Sequence, residues 1–261
     1  MSHIVVLVKH VPDTWSTKSL AEDFTLHREG ADEVIDEINE FAVEQALRLR
    51  DAIPGSQVVA LTAGTERAEE ALRKALAMGA DHAVLLHDPA LAGSDLLGTA
   101  WALNAAIDTI ADVQVIVAGN ASSDGSMGAL PAVLSEYRQI PALTNVSAVS
   151  YADGAVSATR VDEAGHYQIE AQLPVILSVT EQADKPRFPN FKGIMAAKKA
   201  EITRLSLADT IAEPEQVGGE NAATAVTEAQ QRPERSQGTI VRGATAVDQL
   251  VEFLAAEKFI K

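Results

Sequence analysis

The chain has 261 residues, 47% of them hydrophobic and 22% charged, with a formal net charge of −16. That is a globular composition with apolar residues enough for one large core plus an extension. Acid in this excess excludes nucleic acid as a main partner, because phosphate backbones need a basic face.

Apolar β-branched runs alternate with helical periodicity over the first 140 residues. The predicted strands are Ile4–Val8, Gln57–Leu61, Ala83–Leu86 and Val113–Ala118, each a continuous Val/Ile/Leu run rather than a period-two alternation. Such runs fit strands buried on both faces of a parallel sheet. Helices are predicted near Asn39–Ala52, Glu66–Met78 and Ser94–Ala111. In the second, Ala68, Ala71, Leu72, Ala75 and Leu76 share one face. Glu69 with Arg73 and Glu70 with Lys74 make i,i+4 pairs opposite it. Repeated βα units predict a doubly wound, mostly parallel Rossmann-like sheet with right-handed crossovers.

After Pro141 the rhythm changes. "ALTNVSAVSY", "GAVSATRV" and "HYQIEAQL" alternate and are separated by turn signals, Asp153-Gly154 among them, which predicts an antiparallel meander. "PVILSVT" (Pro174–Thr180) reads as a further buried strand. Residues 205–240 lack apolar periodicity and are expected to form an extended arm. Spacing returns at Ala246, Leu250, Phe253 and Leu254, a terminal helix that must dock on something. The expected division is therefore 1–204 as the α/β domain and 205–261 as arm and helix.

No cysteine is present, which excludes disulfides, thiolate metal sites and a cysteine nucleophile and fits a reducing cytoplasm. "IVVLV" is too short for a signal core, and no run approaches the roughly 18–20 apolar residues of a membrane span. The chain is thus expected to be cytoplasmic without direct membrane insertion. Its six histidines show no metal-ligand spacing, and no HExxH, nucleophile elbow or paired-carboxylate pattern occurs, so no metal site and no catalytic residue is expected.

Four segments remain as candidates. "GNASSDGSMGALP" (Gly119–Pro131) leaves a buried strand and leads into a helix; it reads either as a tight βα turn or as a phosphate cradle of backbone amides. It is neither a Walker A loop nor a dinucleotide fingerprint. "DEIN" (Asp36–Asn39) reads as a helix cap or as contacts to an adenine or ribose. Lys9 and His10, in "VKHVPDT", face an anion or solvent. "PRFPNFKGIMAAKK" (Pro186–Lys199) is the anomaly. From Glu181 to Arg204 there are six Lys/Arg against three Asp/Glu, a local +3 in an acidic chain.

Together "IVVLVKHVPDT", "ALRKALAMGADHAVLL" (Ala71–Leu86), "RVDEAGHYQIEAQLPVILSVTE" (Arg160–Glu181) and "PRFPNFKGIMAAKKAEI" resemble the β subunit of electron transfer flavoprotein, over roughly residues 1–205. The resemblance implies a non-enzymatic electron-carrier subunit. It would form a heterodimer with an α subunit that holds most of the FAD, and would itself bind AMP structurally. Electrons would come from acyl-CoA-type dehydrogenases, in fatty acid oxidation, and pass to a membrane quinone oxidoreductase.

Carried over by position, AMP would contact Leu7, Asp36, Glu37, Ile38, Asn39, Ala63, Gly119, Asn120, Ala121, Ser122 and Ser123. Asp124, Gly125, Ser126, Met127, Gly128, Ala129 and Leu130 would wrap the phosphate. A partner-recognition loop would comprise Pro186, Arg187, Phe188, Pro189, Phe191, Lys192, Ile194, Met195, Lys198 and Lys199, with Phe191 as anchor. Two alternatives remain: a bifurcating-type subunit with a second FAD in the AMP site, and a stand-alone nucleotide-binding stress-type module. The chain departs from the family's usual Asn-Pro at Asp36-Glu37 and from its "DGDTGQ" loop at Asp124–Ala129, "DGSMGA".

Overall fold

A computed structural model describes residues 1–28, 30–233 and 238–260. The chain divides into two compact units, Met1–Val226 and Thr227–Lys261. In the first, β1 (His3–Leu7) is followed by a two-stranded antiparallel ribbon of β2 (His10–Pro12) and β3 (Glu33–Ile35). Then come α1 (Glu37–Ala52), β4 (Gln57–Ala63), α2 (Glu69–Met78), β5 (His82–Leu86), α3 (Leu96–Asp108), β6 (Val113–Gly119) and α4 (Leu130–Arg138). The meander is β7 (Ala142–Ala152), β8 (Ala155–Asp162) and β9 (Gly165–Gln172), followed by β10 (Val175–Val179), α5 (Phe191–Lys199) and β11 (Thr203–Leu205).

Nine strands form one sheet in the order β11-β5-β4-β1-β6-β10-β7-β8-β9. The pairs from β11 to β7 are parallel; β7–β8 and β8–β9 are antiparallel. Both faces are covered, which is why the strands read as unbroken apolar runs. Along β1, Ile4 and Val6 enter the core under α1 and α2, while Val5 and Leu7 enter the core under α3 and α4.

The predicted meander starts earlier than its antiparallel pairing. Ala142–Val146 lie parallel to β10, and β7 pairs with β8 from Val146 onward. The change falls at Asn145, which has a positive φ of 55° and donates its N–H to Ser178 Oγ (2.9 Å), beside register shifts in both ladders. A bulge of this kind bends a strand and lets one segment serve two pairings.

The arm expected from residue 205 begins later. Leu207, Ala212 and Val217 are buried in the core on the α3 side, and Trp101 Nε1 donates to Gln216 Oε1 (2.8 Å). Short 3₁₀ turns at Leu207–Asp209 and Pro214–Gln216 carry this packing without helical periodicity, so the sequence pattern missed it. The second unit contains α6 (Ala246–Ala256), whose Val247, Leu250, Val251 and Phe253 are exposed. Residues 234–237 of the expected arm lie outside the described residues.

Candidate functional sites

The strand order reverses between β1 and β6: the chain leaves β1 toward β4 with α1 on one face and returns through α3 to β6. Open α/β sheets form their ligand crevice at such a switch point, beyond the carboxyl ends of the strands. Leu7, Ala63 and Gly119 stand at the ends of β1, β4 and β6, and Asp36–Asn39 open α1 above them. The structure thus gathers the residues of the three sequence-distant segments at one edge.

Gly119 is required there by contact. A Cβ on it would lie 2.7 Å from Ile38 Cγ2 and 3.0 Å from Asn39 Nδ2. Asn39 is buried, and its Oδ1 accepts the Lys9 N–H (2.7 Å). Asp36 does not cap α1 through its side chain; its Oδ2 accepts the N–H of Ser123 across the crevice (2.7 Å). Burial pushes the Asp36 carboxyl above its ordinary range despite that bond, and the neighbouring Asp124 adds to the rise. Glu37 is exposed at the first turn of α1.

The loop from Gly119 to Leu130 has two unlike halves. Its first half is fixed: the Asn120 N–H bonds Val179 O, Ser122 Oγ donates to Asp124 O (2.6 Å), and Ala121 lies beside them. Asp124 is buried and its carboxylate meets both Lys9 and Arg28. Arg28 also reaches Glu33 Oε1 (2.9 Å), and Arg67 meets the other oxygen of that carboxylate (3.1 Å).

The second half turns with left-handed backbone at Gly125 (φ 71°), Ser126 (φ 46°) and Gly128 (φ 65°). Met127 is exposed, and Ala129, the residue before α4, supplies no side-chain cap. The N–H groups of Met127 to Leu130 make no backbone bond within the described residues. Successive left-handed residues before an uncapped helix converge free amides into an anion-binding concavity.

The crevice opens into a cavity of about 780 Å³ lined by its own Asp36, Glu37, Ile38, Asn120, Ala121 and Ser123 and, further out, by Val11, Pro12, Val34 and Phe41 with Asp13, Glu33, Glu40, Glu70 and Glu181 and a single cation, Lys74. His10, buried next to it, has Nδ1 3.6 Å from Glu33 and Nε2 3.9 Å from Glu70. Burial lowers its pKa below the usual 6.5, against the pull of Glu33 and Glu70 and helped by Arg67. His10 is thus packed between the Glu33 and Glu70 carboxylates, with burial favouring its neutral form.

The segment Pro186–Lys199 is not a loop throughout. Pro186 and Pro189 lie ahead of α5, Asn190 caps it by accepting the Gly193 N–H (2.8 Å), and Lys198 and Lys199 stand at its carboxyl end. The helix packs on α2 through buried Ala197 and through Gly193, where a Cβ would lie 2.6 Å from Ala77 O. Its outer face presents Phe191 (79% exposed), Ile194 and Met195, with Lys192 also exposed and Phe188 (95% exposed) just before it. Arg187, expected to meet a partner, is instead engaged within the chain: Nε and Nη2 donate to Glu44 of α1 at 2.7 and 3.0 Å.

An electron transfer flavoprotein domain matches residues 23–210, well over half of the chain. The electron transfer flavoprotein subunit beta of Mycobacterium bovis is 48% identical over the full length of both chains. The chain belongs to the electron transfer flavoprotein family, as a β subunit. The corresponding subunit of Megasphaera elsdenii is 33% identical over 98% of this chain and 99% of its own. The caffeyl-CoA reductase–Etf complex subunit CarD of Acetobacterium woodii is 33% identical over 93% of this chain and 92% of its own. The family makes this β subunit an electron-carrier component of a flavoprotein, paired with an α subunit, rather than a stand-alone nucleotide-binding module. No described helix is long and apolar enough to cross a membrane.

Sequence reasoning missed Arg28, Glu33, Glu44 and Arg67. Each acts across tens of residues or more, as Arg28 does on Asp124, and none carries a local signature. The exception is α5, for which Asn190 as cap and the 191/194/195 spacing were available signals.

Proposed function

We propose that this β subunit holds AMP in the β1/β6 crevice as a structural ligand and offers a separate surface to redox partners. The observation that carries the first half is the second half of the 119–130 loop, whose free amides fit a phosphate and whose first half is already fixed by Asp36, Lys9 and Arg28. Leu7, Ile38, Ala63 and Asn39 would flank the nucleoside. AMP supplies no redox chemistry; its role is to stabilise the assembled fold by binding it.

FAD, when held mainly by the α subunit, supplies the redox function. The outer, acidic part of the crevice's cavity, at Asp13, Glu40, Glu70 and Glu181, is the wall this chain would turn toward that flavin. Its carboxylate-rich lining suits an uncharged ring system and repels a diphosphate. A second FAD, the bifurcating alternative that the family resemblance leaves open, would have to place its phosphates on the 119–130 loop. Electrons would enter from acyl-CoA-type dehydrogenases docking on Phe188 and the outer face of α5, and leave to a membrane quinone oxidoreductase, in the cytoplasm.

Nucleotide extraction from the purified α/β heterodimer tests this. One AMP and one FAD per heterodimer are expected. Two FAD and no AMP would establish the bifurcating reading, and a single FAD with no other nucleotide would overturn the crevice assignment.

A further inference from the structure

The segment before α5 is tied to the middle of α1. Gln45 Nε2 and Arg48 Nε both reach Asp184 Oδ2, at 3.3 and 3.1 Å. Three residues later Glu44, buried, takes three donors from Arg187: the backbone N–H (3.1 Å), Nε (2.7 Å) and Nη2 (3.0 Å). A planar guanidinium on a carboxylate in this forked arrangement fixes direction as well as distance.

The other end of α5 is held as firmly. Arg73 of α2 donates from Nη1 to Ala197 O and to Ala200 O, both at 2.6 Å, satisfying carbonyls left open at the helix end. Between the two latches, Gly193 rests on the carbonyl of Ala77, where no other residue fits. The inner side of α5 is thus committed, and Phe191, Ile194 and Met195 are left on its outer side, Phe191 the most exposed of the three.

We infer that Glu44 and Arg73 are positioning residues that preset the pose of α5, so that a dehydrogenase meets its apolar outer face already in place. This rests on the reading of residues 186–199 as the docking surface. A segment that ordered only on contact would lose conformational entropy at that moment and bind more weakly. The latches remove that loss before the encounter. Glu44, Arg73 and Arg187 do not line the crevice's cavity, so their effect belongs to association and not to electron transfer within the complex.

The test uses the intact α/β heterodimer with FAD bound, reduced by an acyl-CoA-type dehydrogenase as the varied partner. Glu44→Gln, Arg187→Gln and Arg73→Met are each expected to raise KM for the dehydrogenase about tenfold. Turnover at saturation, reduction by dithionite, and flavin and nucleotide contents should stay at wild-type values. Arg73→Lys should restore most of the loss, because one donor to the helix end survives. Arg187→Gln, on the half-exposed partner, answers the question if Glu44→Gln fails to assemble.

An unchanged KM in variants that melt cooperatively would overturn the inference, as would a fall in kcat at constant KM. Phe191→Ala separates the two levels. If it also leaves KM unchanged, the docking surface itself is wrongly placed; if it raises KM while the latch variants do not, only the positioning role fails.

Discussion

The crevice and the α5 surface are built in opposite ways. At the crevice the side chains are spent inward: Asp36 on Ser123, Asp124 on Lys9 and Arg28, Asn39 on Lys9, and what remains outward is backbone N–H. At α5 the backbone is satisfied by a helix, by Asn190 and by Arg73, and what remains outward is side chain. A small anion is met by amides that any residue supplies; a protein surface is met by particular apolar groups. The loop can therefore read "DGSMGA" and keep its shape, provided glycine stays at Gly125 and Gly128, where φ is positive.

The sharpest way to break this contrast is Gly119→Val. The new side chain would drive into Ile38 and Asn39 and push α1 away from β6. Overpacking of this kind should cost about 3 kcal/mol of unfolding free energy, read by urea denaturation, and should empty the crevice of nucleotide. Wild-type stability and nucleotide content would show that the close approach is not needed.

Phe191→Ala attacks the other region. Loss of an interface anchor should weaken productive encounter with a dehydrogenase by about 2 kcal/mol, roughly thirtyfold in KM. Urea stability should not change, because Phe191 is 79% exposed and leaves no cavity. A drop in nucleotide or flavin content in this variant would join two sites that are otherwise separate.

Arg28→Gln is a milder probe. Asp124 would keep Lys9, so the loop should retain its fold while releasing nucleotide several-fold faster, measured by exchange against labelled AMP. Arg28 is about one-third exposed, so solvent screening limits the effect.

The smallest expected effect concerns pH. Burial holds His10 below 6.5 in the folded chain, so folding favours the neutral ring. That contribution is fully present above the unfolded value and is lost as pH falls through the folded pKa. Stability should decline on acidification from about pH 7 to pH 5, and His10→Gln should flatten that limb of the stability–pH curve without altering docking.

The parallel sheet was legible because its strands are buried on both faces and so carry unbroken apolar runs, as in Ile4–Val8. The switch point followed from topology, and the small residues of 119–130 marked the loop. Less legible were features that depend on pairs far apart in the chain. Asp36 looked like a cap, since caps are local and the reach to Ser123 is not. Arg187 reads as part of a partner-recognition loop, because Glu44, which holds it, lies 143 residues away. The two prolines made α5 look like a loop, although both precede the helix and leave its hydrogen bonds intact. Leu207–Val217 looked like an arm because 3₁₀ turns bury single residues without a period.

The most direct test of two separate sites is nucleotide and flavin quantification on wild-type and Phe191→Ala heterodimers, paired with dehydrogenase-driven reduction of each. One AMP and one FAD in both proteins, with reduction slowed only in the variant, is the predicted result. Loss of AMP in step with reduction would contradict the account.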